Sequence, residues 1–133
     1  MRIFLLPGRK GGDEWLLKDN GKVTLICLFS SWCAYSVASV GLVESFAKLA
    51  GDKVNITIIW EDKGKHQWLN HQHIAKDNML WQSLWDEYGF AGTYFKRKIW
   101  PTFLVVNEEG VLTQVFTEYS EKSVAKLKSL LQR

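Results

Sequence analysis

Blocks of apolar residues, separated by short polar segments, predict an alternation of strands and helices. Residues 22–29 are apolar almost without interruption, which is typical of a central strand covered on both faces. Residues 34–50 carry apolar side chains at helical spacing, and Gly51 ends that pattern. A second strand is predicted at 54–60. Because a helix separates these two strands, we expect a right-handed crossover and parallel pairing, which together make a βαβ unit.

The remaining pattern predicts smaller elements. Residues 1–20 read as a short strand-like run, several glycines and a brief amphipathic piece. A polar and aromatic insert covers 61–98, and its spacing predicts a helix ended by Gly89 and built on Trp81, Leu84, Trp85 and Tyr88. Residues 102–116 predict a hairpin introduced by Pro101, and 120–132 predict a last amphipathic helix. The whole chain, 1–133, is expected to be one α/β domain.

Composition narrows the class of protein. A chain of 133 residues can bury roughly two-thirds of its unfolded surface without metals or disulfide staples. The net charge is +3, from 17 basic and 14 acidic residues, and no basic stripe with interleaved aromatic residues is present, so no nucleic-acid partner is expected. The cluster Lys96-Arg97-Lys98 is interpreted as a solvated face.

No apolar run has the length of a signal peptide or a membrane span, so no membrane partner is expected. The chain is predicted to be cytoplasmic; a trimmed piece of an exported protein is the alternative.

The segment Trp32-Cys33-Ala34-Tyr35-Ser36 is the main candidate for chemistry. It places Cys33 where a buried strand turns into a helix, and the unpaired N–H groups and dipole of a helix N-terminus favour a thiolate. The second cysteine, Cys27, leaves too few thiols for a disulfide scaffold and lacks the spacing of a zinc site. No metal and no cofactor are therefore expected.

The order of these elements resembles the thioredoxin-like superfamily, and is most similar to the branch of extracytoplasmic thiol–disulfide oxidoreductases and other redoxins. The likeness covers residues 21 to 133 and is carried by Gly21-Lys22-Val23, Leu25, Trp32-Cys33, Pro101-Thr102-Phe103-Leu104-Val105, Asn107 and Gly110. The resemblance implies a thioredoxin-like fold, with a central mixed β-sheet flanked by helices and a helical insert before the cis-proline strand.

The resemblance also implies roles for single residues. Cys33 takes the place of the attacking cysteine, and Pro101 that of the cis-proline facing it across the groove. Trp100, before that proline, would offer its backbone to an extended client, and its ring would either form a wall for the client or partly cover Cys33. Trp32 and Tyr35 are further candidates for contact with a partner.

Ser36 departs from the family's two-cysteine motif, because a hydroxyl cannot resolve a mixed disulfide as a second thiol would. It could still donate a hydrogen bond to the Cys33 thiolate. Cys27 stands where thioredoxins often carry a buried acid. It is interpreted as a small buried hydrophobe, with a concealed resolving thiol as the alternative.

Other polar residues are assigned lesser roles. Three histidines in the insert, His66, His71 and His73, are interpreted as solvated rather than metal-binding. Glu61 and Asp62, at the carboxyl end of the second strand, either steer partners or solvate the loop, and the second interpretation is favoured. The aromatic residues of the insert are expected mostly to pack within it: Trp68, Trp81, Trp85, Tyr88, Phe90, Tyr94 and Phe95.

These observations predict an atypical thiol–disulfide exchange protein in which Cys33 forms mixed disulfides with a cysteine-containing peptide or protein client. A low-molecular-weight thiol, a thioredoxin-type reductant or a second client cysteine would resolve them. The alternative is a redox-inactive binding module that docks a partner through a groove formed by Trp32, Tyr35 and Trp100. Iron–sulfur binding of the monothiol-glutaredoxin kind is disfavoured because Cys33-Ala34-Tyr35-Ser36 lacks that family's glycine.

Overall fold

The structure of the protein is a computed structural model that describes residues 5–8, 12–18, 20–64, 80–117 and 121–132. It begins with an antiparallel pair, β1 (Leu5–Pro7) and β2 (Asp13–Trp15). An antiparallel bridge between Gly8 and Leu84 attaches this pair to one edge of the main sheet. The three histidines and Trp68 of the insert lie outside the described residues.

The main sheet has five strands in the order β5-β4-β3-β6-β7. They are β3 (Val23–Phe29), β4 (Val54–Trp60), β5 (Gln82–Trp85), β6 (Thr102–Val106) and β7 (Leu112–Phe116). β3 pairs in parallel with β4, and β4 with β5, whereas β6 runs antiparallel to both β3 and β7. The mixed sheet, the βαβ unit and the final hairpin predicted from the sequence are therefore confirmed.

Three helices lie in the part of the chain that the structure describes. They are α1 (Ala34–Ala50), α2 (Phe90–Tyr94) and α3 (Glu121–Ser129), the last followed by a 3₁₀ turn at Leu130–Gln132. α1 has the predicted bounds and ends at Gly51, whose φ of 57° suits glycine and whose N–H donates to the carbonyl of Ala47.

β3 lies at the centre of the core, and every one of its seven residues is buried. Alternate side chains face opposite sides of the sheet: Cys27 and Phe29 pack with α1, whereas Ile26 and Leu28 pack with Leu84 and the segment after β2. This two-sided burial explains why the sequence of β3 shows a continuous apolar run instead of an alternating one.

The helix predicted on Trp81, Leu84, Trp85 and Tyr88 is wrong. This segment contains β5, which pairs with β4 from Thr57↔Gln82 to Trp60↔Trp85. Two residues four positions apart lie on one face of a strand as well as on one face of a helix, so this spacing does not distinguish the two. Trp81 and Trp85 both pack against one core cluster, whereas Leu84 packs in the other, on the opposite face of the sheet. In the described residues that follow β5, helical structure begins after Gly89.

Candidate active site

Cys33 lies at the junction of β3 and α1, where it is the N-cap residue of the helix. Its backbone is extended (φ −97°, ψ 118°), its N–H donates to the carbonyl of Ser30 at 3.1 Å, and its carbonyl accepts from Val37 at the same distance. The side chain makes no capping hydrogen bond and is partly exposed. The thiol is thus available at the helix end where unpaired N–H groups stabilise negative charge.

The segment before β6 faces this thiol. The Sγ of Cys33 lies 3.8 Å from the carbonyl oxygen of Trp100, to which the thiol can donate. The Trp100–Pro101 peptide bond is cis. The structure therefore brings together Cys33, Trp100 and Pro101, although 67 positions separate Cys33 from Trp100 in the sequence.

The indole of Trp100 is surrounded by three side chains. Trp32 packs edge-on against it, with ring centroids 4.7 Å apart. The guanidinium carbon of Arg97 lies 3.8 Å from the ring centroid, and the indole N–H donates to Glu61 Oε2 at 2.7 Å. Trp100 is consequently a fixed wall of the site.

Glu61 and Arg97 form an ion pair behind that wall, with Nε 2.6 Å from Oε2. The exposed fractions of their side chains are 3% and 18%, so the predictions that Glu61 solvates a loop and that Arg97 belongs to a solvated face are wrong. Burial raises the pKa of Glu61, and hydrogen bonds from Arg97 and Trp100 oppose that increase.

Asp62 is also buried, contrary to the interpretation as a loop-solvating residue. Its Oδ1 accepts hydrogen bonds from the N–H of Ser31 at 2.8 Å and from the hydroxyl of Ser30 at 3.5 Å. Its carbonyl accepts from the indole of Trp85 at 2.7 Å. Asp62 thereby anchors the loop that leads into Cys33.

Ser36 is fully buried in the first turn of α1, and its Oγ accepts a hydrogen bond from the N–H of Ser30 at 3.1 Å. This contact occupies a lone pair and leaves the hydroxyl proton free to donate. The position that holds a resolving thiol in a two-cysteine motif thus supports the loop here. The donation from Ser36 to Cys33 stays a prediction.

Cys27 lies in the middle of β3, paired with Ile58 on one side and Phe103 on the other. It is completely buried, and burial raises its pKa above the ordinary range for a thiol. A buried neutral thiol is a poor nucleophile, which favours the interpretation of Cys27 as a packing residue.

Around the thiol the surface is aromatic. The exposed fractions of Trp32 and Tyr35 are 61% and 70%. Tyr88, Phe90 and Tyr94 of the insert are exposed as well, yet each contacts another ring of the insert: Tyr88 contacts Phe90, and Tyr94 contacts Phe95.

Metal-binding clusters and membrane-spanning helices are absent from the part of the chain that the structure describes. Its residues contain no group of three histidine, cysteine or acidic side chains that could hold a metal ion. In the same part of the chain, no helix has the length and apolarity needed to cross a membrane.

Sequence reasoning found Cys33, Trp100 and Pro101 but missed the supporting charges. Glu61 and Arg97 lie far apart in a polar insert, where their pairing leaves no periodic signal. Gly92 of α2 is the available hint. An added Cβ there would lie 2.7 Å from Arg97 Nε and 2.9 Å from Glu61 Cδ, so any larger residue would have to displace this pair.

Comparison with solved structures identifies the fold. A protein from Chlorobium tepidum assigned as thiol:disulfide interchange protein DsbE gives a TM-score of 0.83 at 18% identity, covering 97% of this chain and 90% of that chain. The exposed lipoprotein thioredoxin of Streptococcus pneumoniae gives 0.77 at 23% identity, covering 98% of both chains. A secreted disulfide oxidoreductase of Mycobacterium tuberculosis gives 0.76 at 16% identity, covering 97% of this chain and 94% of that chain.

No protein-family model and no curated protein matches the sequence. The structural similarity is extensive in both directions and confirms the expected thioredoxin-like fold.

Proposed function

Because the chain has the thioredoxin-like fold, we propose that it is a thiol–disulfide exchange protein with one attacking thiol, Cys33. Its client is a peptide or protein that contains cysteine. The observation that carries this proposal is the placement of Cys33: partly exposed, at the N-terminus of α1, and 3.8 Å from the carbonyl that precedes Pro101. The structural neighbours described as oxidoreductases support the same chemistry.

In the first step the Cys33 thiolate attacks one sulfur of a client disulfide. The client S–S bond breaks, a Cys33–client S–S bond forms, and the released client thiolate takes up a proton. A second client thiolate then attacks the mixed disulfide, which frees Cys33 and leaves a rearranged client disulfide. This isomerisation needs no outside oxidant or reductant.

Net formation or reduction of a client disulfide needs an outside reagent, since Ser36 cannot act as a second thiol. An oxidised low-molecular-weight disulfide can load Cys33 for transfer to a client thiol, and a low-molecular-weight thiol or a thioredoxin-type reductant can remove a captured client. In either case a thiolate from outside the chain attacks the disulfide that joins Cys33 to its partner sulfur, and that disulfide breaks.

Competitive alkylation followed by peptide mapping tests the assignment. We expect Cys33 to be labelled much faster than Cys27, because only Cys33 is partly exposed. With a disulfide-bonded test peptide, the chain should accumulate a mixed disulfide that is lost in Cys33→Ser and kept in Cys27→Ala. Equally slow labelling of both thiols would overturn the proposal.

A redox-inactive binding module is the second candidate, favoured by the exposure of Trp32 and Tyr35 beside the groove. Under that function a partner would be retained by Cys33→Ser and lost in Trp32→Ala or Tyr35→Ala. Under the exchange function the same Cys33→Ser variant loses covalent capture.

The cytoplasmic location belongs to the proposal as well, although two similar structures are of exposed or secreted proteins. Labelling intact cells with a membrane-impermeant thiol reagent tests it. Protection of Cys33 until the cells are lysed supports a cytoplasmic location.

A further inference from the structure

Trp100 contributes two different groups to the site. Its backbone carbonyl faces the Cys33 thiol, and its indole forms the wall beside Trp32. The backbone of Trp100 leads through Pro101 into β6, but the ring can rotate about two side-chain bonds. What holds the ring therefore decides the shape of the groove at the thiol.

Glu61 and Arg97 hold the ring from two directions. Glu61 accepts the hydrogen bond of the indole N–H in the ring plane, and Arg97 lies over the ring face. The two side chains also bind each other through the same carboxylate oxygen, Glu61 Oε2. Three groups are thus joined pairwise, so none of them can turn without breaking two contacts.

The pair packs against α2 at Gly92, where an added Cβ would lie 2.7 Å from Arg97 Nε and 2.9 Å from Glu61 Cδ. An exposed ion pair exchanges readily with water and fixes little. A pair with only 3% and 18% of its side chains exposed has lost most of that freedom. The hydrogen bond from the Trp100 indole N–H to the Glu61 carboxylate is charge-assisted, and such bonds are short and directional, which suits them to orienting a neighbouring group.

We propose that Glu61 and Arg97 are positioning residues that lock the Trp100 indole beside Cys33, so that the client groove is formed before a client arrives. This inference rests on the proposed exchange function. Neither residue touches the reacting sulfur atoms, and both act through Trp100.

A groove that is formed in advance should raise the rate at which Cys33 reacts with a client, but not the rate at which it reacts with a small reagent. Ordering a free tryptophan side chain during binding would lower client affinity by about two- to tenfold. A reagent that fits on the thiol alone does not use the wall. The ratio of the two reaction rates therefore isolates the contribution of Trp100.

The test uses two activated disulfides that both release a thiopyridyl group on attack by Cys33. One is 2,2′-dithiodipyridine, and the other is a short extended peptide whose single cysteine carries the same leaving group. The double variant Glu61→Leu/Arg97→Met removes both charges together, because removal of one alone would leave a buried unpaired charge. The comparison variant Glu61→Gln/Arg97→Met also removes both charges but keeps an oxygen for the indole N–H. The control is Glu44→Gln, which removes an ion-pair carboxylate on α1.

We expect the ratio of peptide rate to small-reagent rate to fall about two- to tenfold in the double variant. Trp100→Ala should give a similar fall, Glu61→Gln/Arg97→Met an intermediate one, and Glu44→Gln none. In ¹H–¹⁵N spectra, the Trp100 indole signal, assigned by its loss in Trp100→Phe, should be protected from solvent exchange in the unaltered chain and unprotected in the double variant.

An unchanged ratio in the double variant, together with a lower ratio in Trp100→Ala, would overturn the positioning role and leave the exchange function intact. A Trp100 indole signal that stays protected in the double variant would overturn it independently. If Cys33 of the unaltered chain reacts with neither disulfide, the exchange function itself is wrong.

Discussion

The carboxylate of Asp62 accepts a hydrogen bond from the backbone N–H of Ser31 at 2.8 Å, two residues before the thiol. The contact joins the end of β4 to the end of β3, so the parallel pairing of these strands places an acid beneath the active-site loop. Ser36 supports the same loop from α1 through the N–H of Ser30. The loop is therefore fixed from both sides.

The Asp62 anchor predicts a difference between two substitutions. Asp62→Ala leaves the N–H of Ser31 without its acceptor and should lower the free energy of unfolding by about 1–3 kcal/mol. Asp62→Asn keeps an oxygen acceptor and should lose less. Denaturant unfolding measures both, and amide exchange at Ser31 should quicken in Asp62→Ala only. Equal losses in the two variants would contradict the anchoring role.

Much of this arrangement could be predicted from local patterns. The continuous apolar run of β3, the spacing in α1 and the hairpin before α3 are each decided within one segment, so the sequence shows them directly. The place of Cys33 follows from the same patterns, since it stands where the strand pattern changes to the helical one.

The parts that could not be predicted depend on contacts between segments. β5 exists because the free edge of β4 offers it hydrogen-bonding partners, and its tryptophans have a spacing that suits either element. The burial of Glu61 depends on α2 and the segment before β6, and that of Asp62 on the loop after β3 and on Trp85 of β5. Acidic residues after a strand look solvated until those covering segments are known.

Cys27 predicts a pH dependence of stability. Burial raises the pKa of its thiol above that of the unfolded chain, so the folded state keeps a proton that the unfolded state releases. The stabilisation of the folded state by this protonated thiol is complete below about pH 8.5, the pKa of an unperturbed cysteine. As the pH rises above that value, the stabilisation is lost at about 1.4 kcal/mol per pH unit. Free energies of unfolding measured between about pH 7 and pH 9.5 should show this loss.

The matched variants for that experiment are Cys27→Ala and Cys33→Ala. Cys27→Ala should become progressively more stable relative to the unaltered chain as the pH rises, whereas Cys33→Ala should keep the full alkaline loss due to Cys27. Parallel curves for Cys27→Ala and the unaltered chain would show that Cys27 ionises in the folded state.

Two glycine substitutions test the packing behind Trp100. Gly92→Ala places a methyl group against Glu61 and Arg97, and overpacking of this kind should cost about 1–3 kcal/mol. Gly41→Ala, on α1, meets no atom within 4 Å and should stabilise the protein by about 0.5–1 kcal/mol, as alanine favours a helix more than glycine does. Thermal unfolding compares them, and stabilisation by both would mean that the Glu61–Arg97 pair moves aside freely.

Ser36→Cys would supply the resolving thiol that the motif lacks. Residues three apart in a first helical turn are neighbours, so the new thiol lies within reach of Cys33. Oxidation should close a disulfide between Cys33 and the introduced thiol, and the variant should reduce a generic protein disulfide that the natural chain handles poorly. Mass spectrometry after alkylation measures the bond, while the natural chain should accumulate mixed disulfides instead.

Ser39→Cys is the control for disulfide formation by Ser36→Cys. Ser39 is a buried serine of α1 like Ser36, but about six residues of helix, or about 9 Å, separate it from Cys33. It should form no intramolecular disulfide.

Because Ser36 Oγ supports Ser30, reduced Ser36→Cys should lose about 1 kcal/mol of stability and regain it on oxidation. If the natural chain already forms a Cys27–Cys33 bond, and Cys27→Ala abolishes its activity, then Cys27 is a displaced resolving thiol and the single-thiol mechanism is wrong.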